Sequence, residues 1–486
     1  MMSIHCYGQD YVYDYNEATQ GLYQQIIDLD LKAAATALQS YKAANPNNLA
    51  LEHLQNYLDF FKVYTSDDPD LYKQLRSNRD LYIKRLQKGP EESPWHLYAQ
   101  ANIRLQWALL KFKFGDYFAG FWDVRKAYQL LEKNKAAFPD FLPNEKDRGV
   151  LKILIGNVPD QYQWGIRNLA GLKGEIKEGK NAMLRMISCQ HTDYQFLQQE
   201  TLMIYSYLLL FVAHSSDEAW TILQEYPLAA DEHVLSAYTL ATVASRNGRN
   251  DYAIRTLQAV QHTAGWQQFP FLEFRLGNLL LKKLDEQAEQ HFKNYLQTNR
   301  GQSDIKSSYL RLGWCALLKG DKEAYTAYLD KVQKKGNAQI GRDKDALYAS
   351  QLGFTPDLVL IKARLLFDGG YYNQALKQLL PFEERNFNSI YEKLEWQYRL
   401  ARIWHERGNT QKALEAYEEV YLRGRQQSYY FSCNAALQIG RIKEEQKDWS
   451  SAKSYYKACL HLKPEIYRNS LHLAAKAGLQ RIKTHP

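Results

Sequence analysis

The segment LARIWHERGNTQKALEAYEEV, residues 400–420, decides the fold of this chain. It places small residues at Ala401, Gly408 and Ala413, a spacing that suits two helices meeting at a tight turn. A small side chain lets one helix approach its neighbour closely, and glycine adopts the backbone conformations that a sharp turn requires. The segment therefore predicts a helix–turn–helix unit.

The adjacent residues Trp404, His405 and Glu406 allow a different interpretation, as a metal or acid–base site. A zinc site of the HExxH type needs a second histidine four residues after the first, and this segment has none. We therefore interpret Trp404 as a packing aromatic and expect His405 and Glu406 to be exposed on the first helix.

The same offsets recur along the chain. Close copies lie at 240–260, 362–380 and 439–464, and weaker ones at 107–128, 275–292 and 311–328. Two of the weaker copies begin with Leu-Gly and have the later alanine one place early. The residues that carry the signature are Ala363, Gly370, Ala375, Ala401, Trp404, Gly408, Ala413, Tyr417, Gly440, Ala452, Tyr456 and Pro464.

This order of a small residue, an aromatic, Gly, Ala, an aromatic and a closing Pro resembles the tetratricopeptide repeat (TPR), a helix–turn–helix unit of about 34 residues. The resemblance is clearest from about residue 233 to 464 and diffuse before 135. It implies an all-α fold, a right-handed α-solenoid in which each helical pair buries its apolar face against the next pair.

The sequence predicts four regions. Residues 1–135 form an N-terminal helical region with degenerate repeats, and 136–180 form an irregular helical insertion that contains Gly and Pro. Residues 181–464 form the repeat array, and 465–486 form a capping helix. The residues of this last helix that we expect to face inward are Leu471, Ala474, Ala475, Leu479 and Ile482.

Segment 138–179 concentrates prolines and glycines in a chain that is poor in both. We expect an irregular insertion or two short helices joined by GNVPD, residues 156–160. The segment resembles part of bacterial TPR proteins of unassigned function and, more distantly, the eukaryotic TPR family linked to inclusion-body clearance. Its glycines are too scattered for a phosphate-binding loop, so we interpret them as turn and cap residues.

Composition narrows the class of protein. A net charge of +8 is spread over 486 residues without a run of like charges, so we expect no nucleic-acid partner. The five cysteines, at 6, 189, 315, 433 and 459, have neither metal-ligand nor disulfide-framework spacing and predict buried free thiols. No apolar run is long enough for a transmembrane segment. We expect no catalytic residue, metal site or cofactor.

The concave groove of such a solenoid is where partner proteins bind. Transferring the family's groove positions onto the matched repeats gives seven candidates: Arg364, Tyr398, Arg402, His405, Leu437, Arg441 and Glu444. Three of them, Arg364, Arg402 and Arg441, occupy the same repeat position and form a basic ladder if the alignment holds. Such a ladder suits an acidic segment or a C-terminal carboxylate. In the alternative, these arginines pair with neighbouring glutamates such as Glu406 and Glu444.

The expected function is a non-enzymatic scaffold or adaptor that binds a protein or peptide. An exported cell-envelope subunit is the second hypothesis, because the polar start YGQDYVYDYN resembles a mature N-terminus beyond a cleaved signal. The chain as written points to a soluble cytoplasmic protein, and a missed upstream signal would place it in the periplasm or envelope. A ligand-binding protein or enzyme with a site near 138–179 is the third. The sequence does not decide the oligomeric state.

Overall fold

The computed structural model describes residues 11–157 and 172–484. Over these residues the regular structure is helical, and the sole β pairing is an isolated bridge between Val12 and Asn48. The all-α class predicted from the sequence is confirmed. The predicted turn at 156–160 falls mainly on residues outside the described ranges, as do Cys6, Gly165 and Gly171.

The chain divides into two compact units, which we call unit 1 and unit 2. Unit 1 comprises Met1–Leu276 and Asn294–Gln302, and unit 2 comprises Gly277–Lys293 and Ser303–Pro486. This boundary lies inside the predicted array 181–464 and differs from the four-part division that composition indicates. A stack of helical pairs can continue across a change in amino-acid composition. The boundary between two packed units therefore need not fall at the residue where the composition changes.

The described helices of unit 1 are α1 (Glu17–Ile27), α2 (Leu31–Ala44), α3 (Ala50–Ser66), α4 (Pro69–Leu75), α5 (Asn78–Leu86), α6 (Pro94–Lys113), α7 (Tyr117–Ala137), α8 (Pro143–Gly156), α9 (Ile176–Ile187), α10 (Gln198–Tyr207), α11 (Ser216–Glu225), α12 (Val234–Arg246), α13 (Asn250–Ala259) and α14 (Ala264–Gln268). A 3-10 turn precedes α10 and a single π-helical turn follows it, at Thr192–Leu197 and Leu208–Val212. Helices α15 (Phe271–Lys282) and α16 (Ala288–Thr298) contribute residues to both units.

The remaining helices of unit 2 are α17 (Ile305–Leu318), α18 (Lys322–Lys334), α19 (Gly341–Ser350), α20 (Leu358–Asp368), α21 (Tyr372–Leu379), α22 (Ile390–Glu406), α23 (Thr410–Gly424), α24 (Tyr430–Glu445), α25 (Trp449–His461) and α26 (Arg468–Arg481). Each of α20–α25 packs against the next helix, and α17, α20, α22, α24 and α26 also pack in sequence against one another. Unit 2 is therefore an α-solenoid of stacked helical pairs. Its handedness stays a prediction.

The turn between the two helices of a pair has the same backbone conformation in every copy of the repeat. Seven residues after each small position, φ is positive, in the left-handed region that favours glycine. Glycine fills this position in five copies, and Leu284 and Lys447 fill it in the other two. The residues are Gly115, Gly248, Leu284, Gly320, Gly370, Gly408 and Lys447.

The small positions make room for a side chain of the second helix, as predicted. Ala363, Ala401, Ala375, Ala413 and Ala452 are all fully buried. At Gly440, a Cβ atom would lie 2.7 Å from the ring of Tyr456, so the aromatic ring occupies the space that the glycine leaves.

In the copies that begin with Leu-Gly, the glycine likewise makes room for an aromatic ring of the second helix. Gly313 faces Tyr325, and Gly277 faces Phe292. In the copy at 311–328 the buried side chain is therefore Tyr325, whereas the neighbouring Ala324, expected at the crossing point, is only half-buried. Gly313 removes the Cβ atom that would otherwise stand 3.1 Å from that ring.

The described part of the segment 138–179 forms a close pair of helices, α8 and α9. A Cβ atom at Gly149 would lie 2.9 Å from the carbonyl oxygen of Gly179, and one at Gly179 would lie 2.8 Å from that of Gly149. Just before α9, a Cβ atom at Gly174 would clash with the backbone nitrogen of Gly156. These glycines therefore permit a close helix crossing, which differs from the turn and cap role expected from sequence.

Helix α26 covers the end of unit 2, where the capping helix was predicted. Leu471, Ala475 and Ile482 are buried against α24 and α25. Ala474 and Leu479 are half-buried, which agrees in direction with the predicted inward face. Pro464, in the loop after α25, is also buried.

Candidate functional site

The first helices of successive pairs line a cavity of about 110 Å³ in unit 2. Arg311 and Trp314 reach it from α17, Arg364 from α20, Glu395 from α22 and Tyr430 from α24. Helical pairs that stack side by side bring one residue from each first helix to the same face. The first helices of the repeat therefore form part of the wall, and α19 with the residues after it completes the cavity.

Two guanidinium groups lie close to the indole ring of Trp314. The Cζ atom of Arg311 lies 4.8 Å from the Trp314 ring centroid and that of Arg364 lies 5.2 Å from it. Both distances fall within the range of cation–π attraction. Trp314 is 6% exposed, so its ring is held in place beside the two charges.

These two arginines are incompletely neutralised. Among the described residues, Arg311 forms no salt bridge, and its Nε donates a hydrogen bond to the neutral Asn278 at 3.2 Å. Burial, together with the nearby Arg364, lowers the pKa of Arg311 to about 10. Arg364 has a carboxylate, that of Asp368, only at 4.0 Å, and both side chains are partly exposed.

The other charges of the cavity are paired. Arg399, behind the wall, holds Glu395 at 2.7 Å, and Arg342 holds Asp304 at 2.5 Å. Asp345 also lines the cavity, and burial raises the pKa of its carboxyl. The charged residues that line the cavity are thus three arginines, Arg311, Arg342 and Arg364, and two carboxylates, Asp345 and Glu395, which leaves an excess of positive charge.

The chain combines helical pairs, turns with a positive φ angle and small residues where the two helices of a pair cross. The repeats are TPR-like. Similar solved structures include a P58(IPK) TPR domain, with 13% identity and a TM-score of 0.22; the match covers 86% of this chain and 98% of that one. Yeast Tom70 has 14% identity and a TM-score of 0.24, and the match covers 88% of this chain and 98% of that one. A Rap protein complexed with competence and sporulation factor has 10% identity and a TM-score of 0.24, and the match covers 94% of this chain and 98% of that one. No family model and no curated protein matches the chain. The TM-scores are low, so the assignment rests on the repeats of this chain.

The arginine ladder expected from the sequence is partly brought together. Arg364 lines the cavity of the TPR-like array. Arg402, one repeat along, places its Cζ atom 4.4 Å from the ring centroid of Phe367 and donates a hydrogen bond to the Tyr398 hydroxyl at 3.4 Å. Arg441 is exposed and does not line the cavity. The alternative of pairing with Glu406 or Glu444 is found for none of the three in the described salt bridges.

Two groove candidates need correction. Tyr398 has no exposed surface and packs among Ala401, Tyr417 and Phe431. Leu437 is 3% exposed and packs in the core of the last helical pair. Both stand three residues before the small position, on the side of the first helix that faces its own partner helix. They support the groove wall and cannot contact a partner with their rings or methyl groups.

The remaining two candidates have other neighbours. Glu444 accepts two hydrogen bonds from Arg481 of the capping helix, at 2.7 and 2.8 Å, and a third from Tyr456. His405 was expected to be exposed, but it is half-buried with its ring 5.9 Å from that of Tyr417. Burial lowers the pKa of His405, so the neutral ring is favoured there.

Arg311 and Trp314 were not among the residues expected in the groove. Trp314 follows Gly313 directly, as Arg364 follows Ala363, so it occupies the ladder position of its own repeat. Extending the ladder by one repeat would have found it. Arg311 stands two residues before the small position, as Arg399 does, and only the structure distinguishes the paired arginine from the unpaired one.

The described part of the segment 138–179 contains a buried charge cluster. Lys146 of α8 is fully buried and donates to Glu200 of α10 at 2.5 Å. Tyr23 and Tyr57 donate to the same carboxylate. This cluster is closely packed, with the Lys146 side chain 1% exposed, and no described cavity reaches it. Its geometry indicates a structural role.

Two further features bear on the class of site. In residues 11–157 and 172–484, no group of three His, Cys, Asp or Glu side chains is close enough to hold a metal ion. None of the described helices combines the length and the apolar character that a bilayer crossing requires.

Proposed function

We propose that this chain is a non-enzymatic protein-interaction scaffold whose unit 2 groove binds an acidic segment or a C-terminal carboxylate of a partner protein. The observation that carries the proposal is the pair Arg311 and Arg364, both close to the ring of Trp314. Stacked helical repeats present extended concave surfaces of the kind that bind peptides. Their binding energy comes from a few anchors, in which arginine and aromatic residues are enriched.

The charge balance favours an anionic group. A carboxylate placed against Arg311 accepts charge-assisted hydrogen bonds, which are about twice as strong as neutral ones. The same carboxylate relieves the repulsion between Arg311 and Arg364, which contributes to the lowered pKa of Arg311. The indole of Trp314, which also lines the cavity, offers an apolar surface for the stem of an acidic side chain.

The binding surface continues beyond the cavity. Arg402 and Arg441 follow Arg364 at the same repeat position, and Arg402 is held over Phe367. A segment with several acidic residues at roughly the spacing of the repeats would meet these arginines in turn. In this proposal Arg364 and Arg311 are the anchor, and Arg402 and Arg441 extend the contact.

The direct test measures binding of a panel of fluorescein-labelled acidic peptides to the full chain by fluorescence anisotropy. Each peptide is made with a free and with an amidated C-terminus. We expect binding that Arg311→Gln/Arg364→Gln weakens at least tenfold. The matched control is Arg423→Gln, because Arg423 lies in the same unit and pairs with Glu384. Equal binding by both variants, or no preference for acidic over neutral peptides, would contradict the proposal.

A second experiment asks whether the ladder takes part. Partners are recovered from the native organism with the wild type and with Arg402→Glu/Arg441→Glu. The extended contact is supported by a partner that the wild type recovers and the charge-reversed variant does not. This partner must also bind the groove that the peptides test. Recovery of the same proteins with both chains would limit binding to the cavity at Arg311 and Arg364.

A further inference from the structure

Two cysteine thiols meet inside the last helical pair of unit 2. The Sγ atom of Cys433, on α24, lies 3.5 Å from the Sγ atom of Cys459, on α25. Both residues are buried, at 1% and 0% exposure. The two sulfur atoms are therefore in direct contact with no side chain between them.

The other described cysteines lack this arrangement. Cys189 and Cys315 are buried free thiols, and neither has a cysteine neighbour among the described residues. Burial raises the pKa of Cys315 to about 12, which makes it a poor nucleophile. Cys315 is thus a natural internal control within the same unit.

The contact between the two thiols shifts their pKa values in opposite directions. The Cys459 thiol hydrogen-bonds with the Cys433 sulfur and thereby lowers the pKa of Cys433, while the same contact and burial raise the pKa of Cys459. The thiolate form therefore favours Cys433. A thiolate is the species that attacks a disulfide, so Cys433 would react first and Cys459 second.

We infer that Cys433 and Cys459 are a modification site at which an intramolecular disulfide joins α24 to α25. The oxidant is a low-molecular-weight disulfide of the glutathione type. The Cys433 thiolate attacks one sulfur of that disulfide and displaces one thiolate, which leaves a mixed disulfide. The deprotonated Cys459 then attacks the Cys433 sulfur and displaces the second thiolate. The protein loses two protons and two electrons, and the co-reactant becomes two thiols.

The sulfurs already stand close to the required separation. A disulfide bond is about 2.05 Å long, so the two atoms must approach by roughly 1.5 Å. The two helices that carry the thiols are already packed together.

Access to the pair is controlled by the capping helix. Cys459 points its Sγ toward the carbonyl oxygen of Leu471 at 3.9 Å, and Leu471 and Ala475 pack over the two cysteines. A small disulfide therefore reaches Cys433 when α26 opens. We expect the reaction to be slow in the intact chain and faster when the contact of α26 is weakened.

The test uses the full-length reduced protein in buffers of defined oxidised and reduced glutathione ratio, quenched with acid and N-ethylmaleimide. Trypsin releases Cys433 in residues 426–441 and Cys459 in residues 458–468, because the Lys463–Pro464 bond resists cleavage. The expected product is a species in which these two peptides are linked, with a mass about 2 Da below their sum. Cys433→Ser and Cys459→Ser abolish it, whereas Cys315→Ser leaves it unchanged.

A second variant shows whether a missing disulfide means that the oxidant reaches the two thiols slowly or that the thiols do not react. Leu471→Ala removes the side chain that covers the pair, and we expect the linked peptides to form at least fivefold faster than in the wild type. Absence of the linked species from both the wild type and Leu471→Ala overturns the inference, whether the cysteines stay free or carry glutathione. Linkage of either cysteine to Cys315 in preference to its neighbour overturns it as well.

Discussion

Lys447 has the backbone conformation of Gly408. Their φ angles are +61° and +75°, and each ends the first helix of its pair seven residues after the small position. A residue with a Cβ atom is disfavoured in this region by roughly 1 kcal/mol compared with glycine. The turn geometry is therefore set by the repeat, and Lys447 adopts it at a cost.

Replacing Lys447 with glycine relieves that cost. Lys447 is exposed, so the change removes little packing. We expect Lys447→Gly to raise the free energy of unfolding of the last repeats by about 1 kcal/mol, measured by urea denaturation. Lys447→Ala keeps the Cβ atom and serves as the control, with no comparable gain. Equal stabilisation by both variants would show that the lysine side chain, and not its φ angle, is unfavourable.

Adding a methyl group at Gly440 tests the crossing of α24 and α25. The new Cβ atom would lie 2.7 Å from the Tyr456 ring, which has no free space around it. We expect Gly440→Ala to destabilise unit 2 by about 1–3 kcal/mol in thermal or urea unfolding. At Gly341 a Cβ atom meets nothing within 4 Å, so Gly341→Ala is the matched control and stays neutral or slightly stabilising. A harmless Gly440→Ala would show that the two helices can separate freely.

The buried pair Lys146 and Glu200 supports unit 1. Removing the cation leaves two buried carboxylates, those of Glu200 and Asp147, without their charged partner, so we expect Lys146→Met to lower the free energy of unfolding by about 3–5 kcal/mol. Adding Glu200→Gln removes one of these two charges, and the double variant should recover part of the loss. Strictly additive losses in the two single variants would contradict a coupled pair. Urea unfolding followed by tryptophan fluorescence measures all three.

His53 makes the stability of unit 1 depend on pH. Its ring is buried, with Nε2 3.0 Å from the Asn102 carbonyl oxygen and Nδ1 2.6 Å from the Tyr15 hydroxyl. Burial lowers the pKa of His53 from 6.5 to about 3. The unfolded chain therefore binds a proton below pH 6.5 that the folded chain does not bind. The contribution of His53 is complete above pH 6.5 and is lost as the pH falls towards 3.

Between pH 7 and pH 5 this loss amounts to about 2 kcal/mol. His53→Gln keeps one donor and one acceptor but cannot titrate, so its unfolding free energy should change less over the same interval. Urea titrations of both proteins at the two pH values give the comparison. Identical pH dependence of the two proteins would assign the acid sensitivity to groups other than His53.

Lysine substitution distinguishes charge from shape in the groove. Arg311→Lys/Arg364→Lys keeps both positive charges but loses the planar groups that stack on Trp314. We expect acidic-peptide affinity between those of the wild type and the glutamine variant, with a steeper loss as salt is raised, because charge attraction then carries more of the binding. Wild-type affinity in the lysine variant would mean that stacking on Trp314 contributes nothing.

The sequence by itself determined the repeat. The spacing of Ala401, Gly408 and Ala413 encodes which side of each helix is buried and where the chain turns, because these properties depend on residues a few positions apart. It also indicated the capping helix. The same spacing also predicts that a side chain of the second helix fills the space at each small position.

Only the tertiary structure decided which polar groups meet. Arg399 and Arg311 occupy the same repeat position, yet one is neutralised by Glu395 and the other faces the cavity. Tyr398 was placed in the groove from its alignment and lies in the core. The partners of Lys146 and Cys433 belong to other helices. Such pairings depend on the angle and depth at which helices cross, and these follow from packing over the whole unit, which no local spacing records.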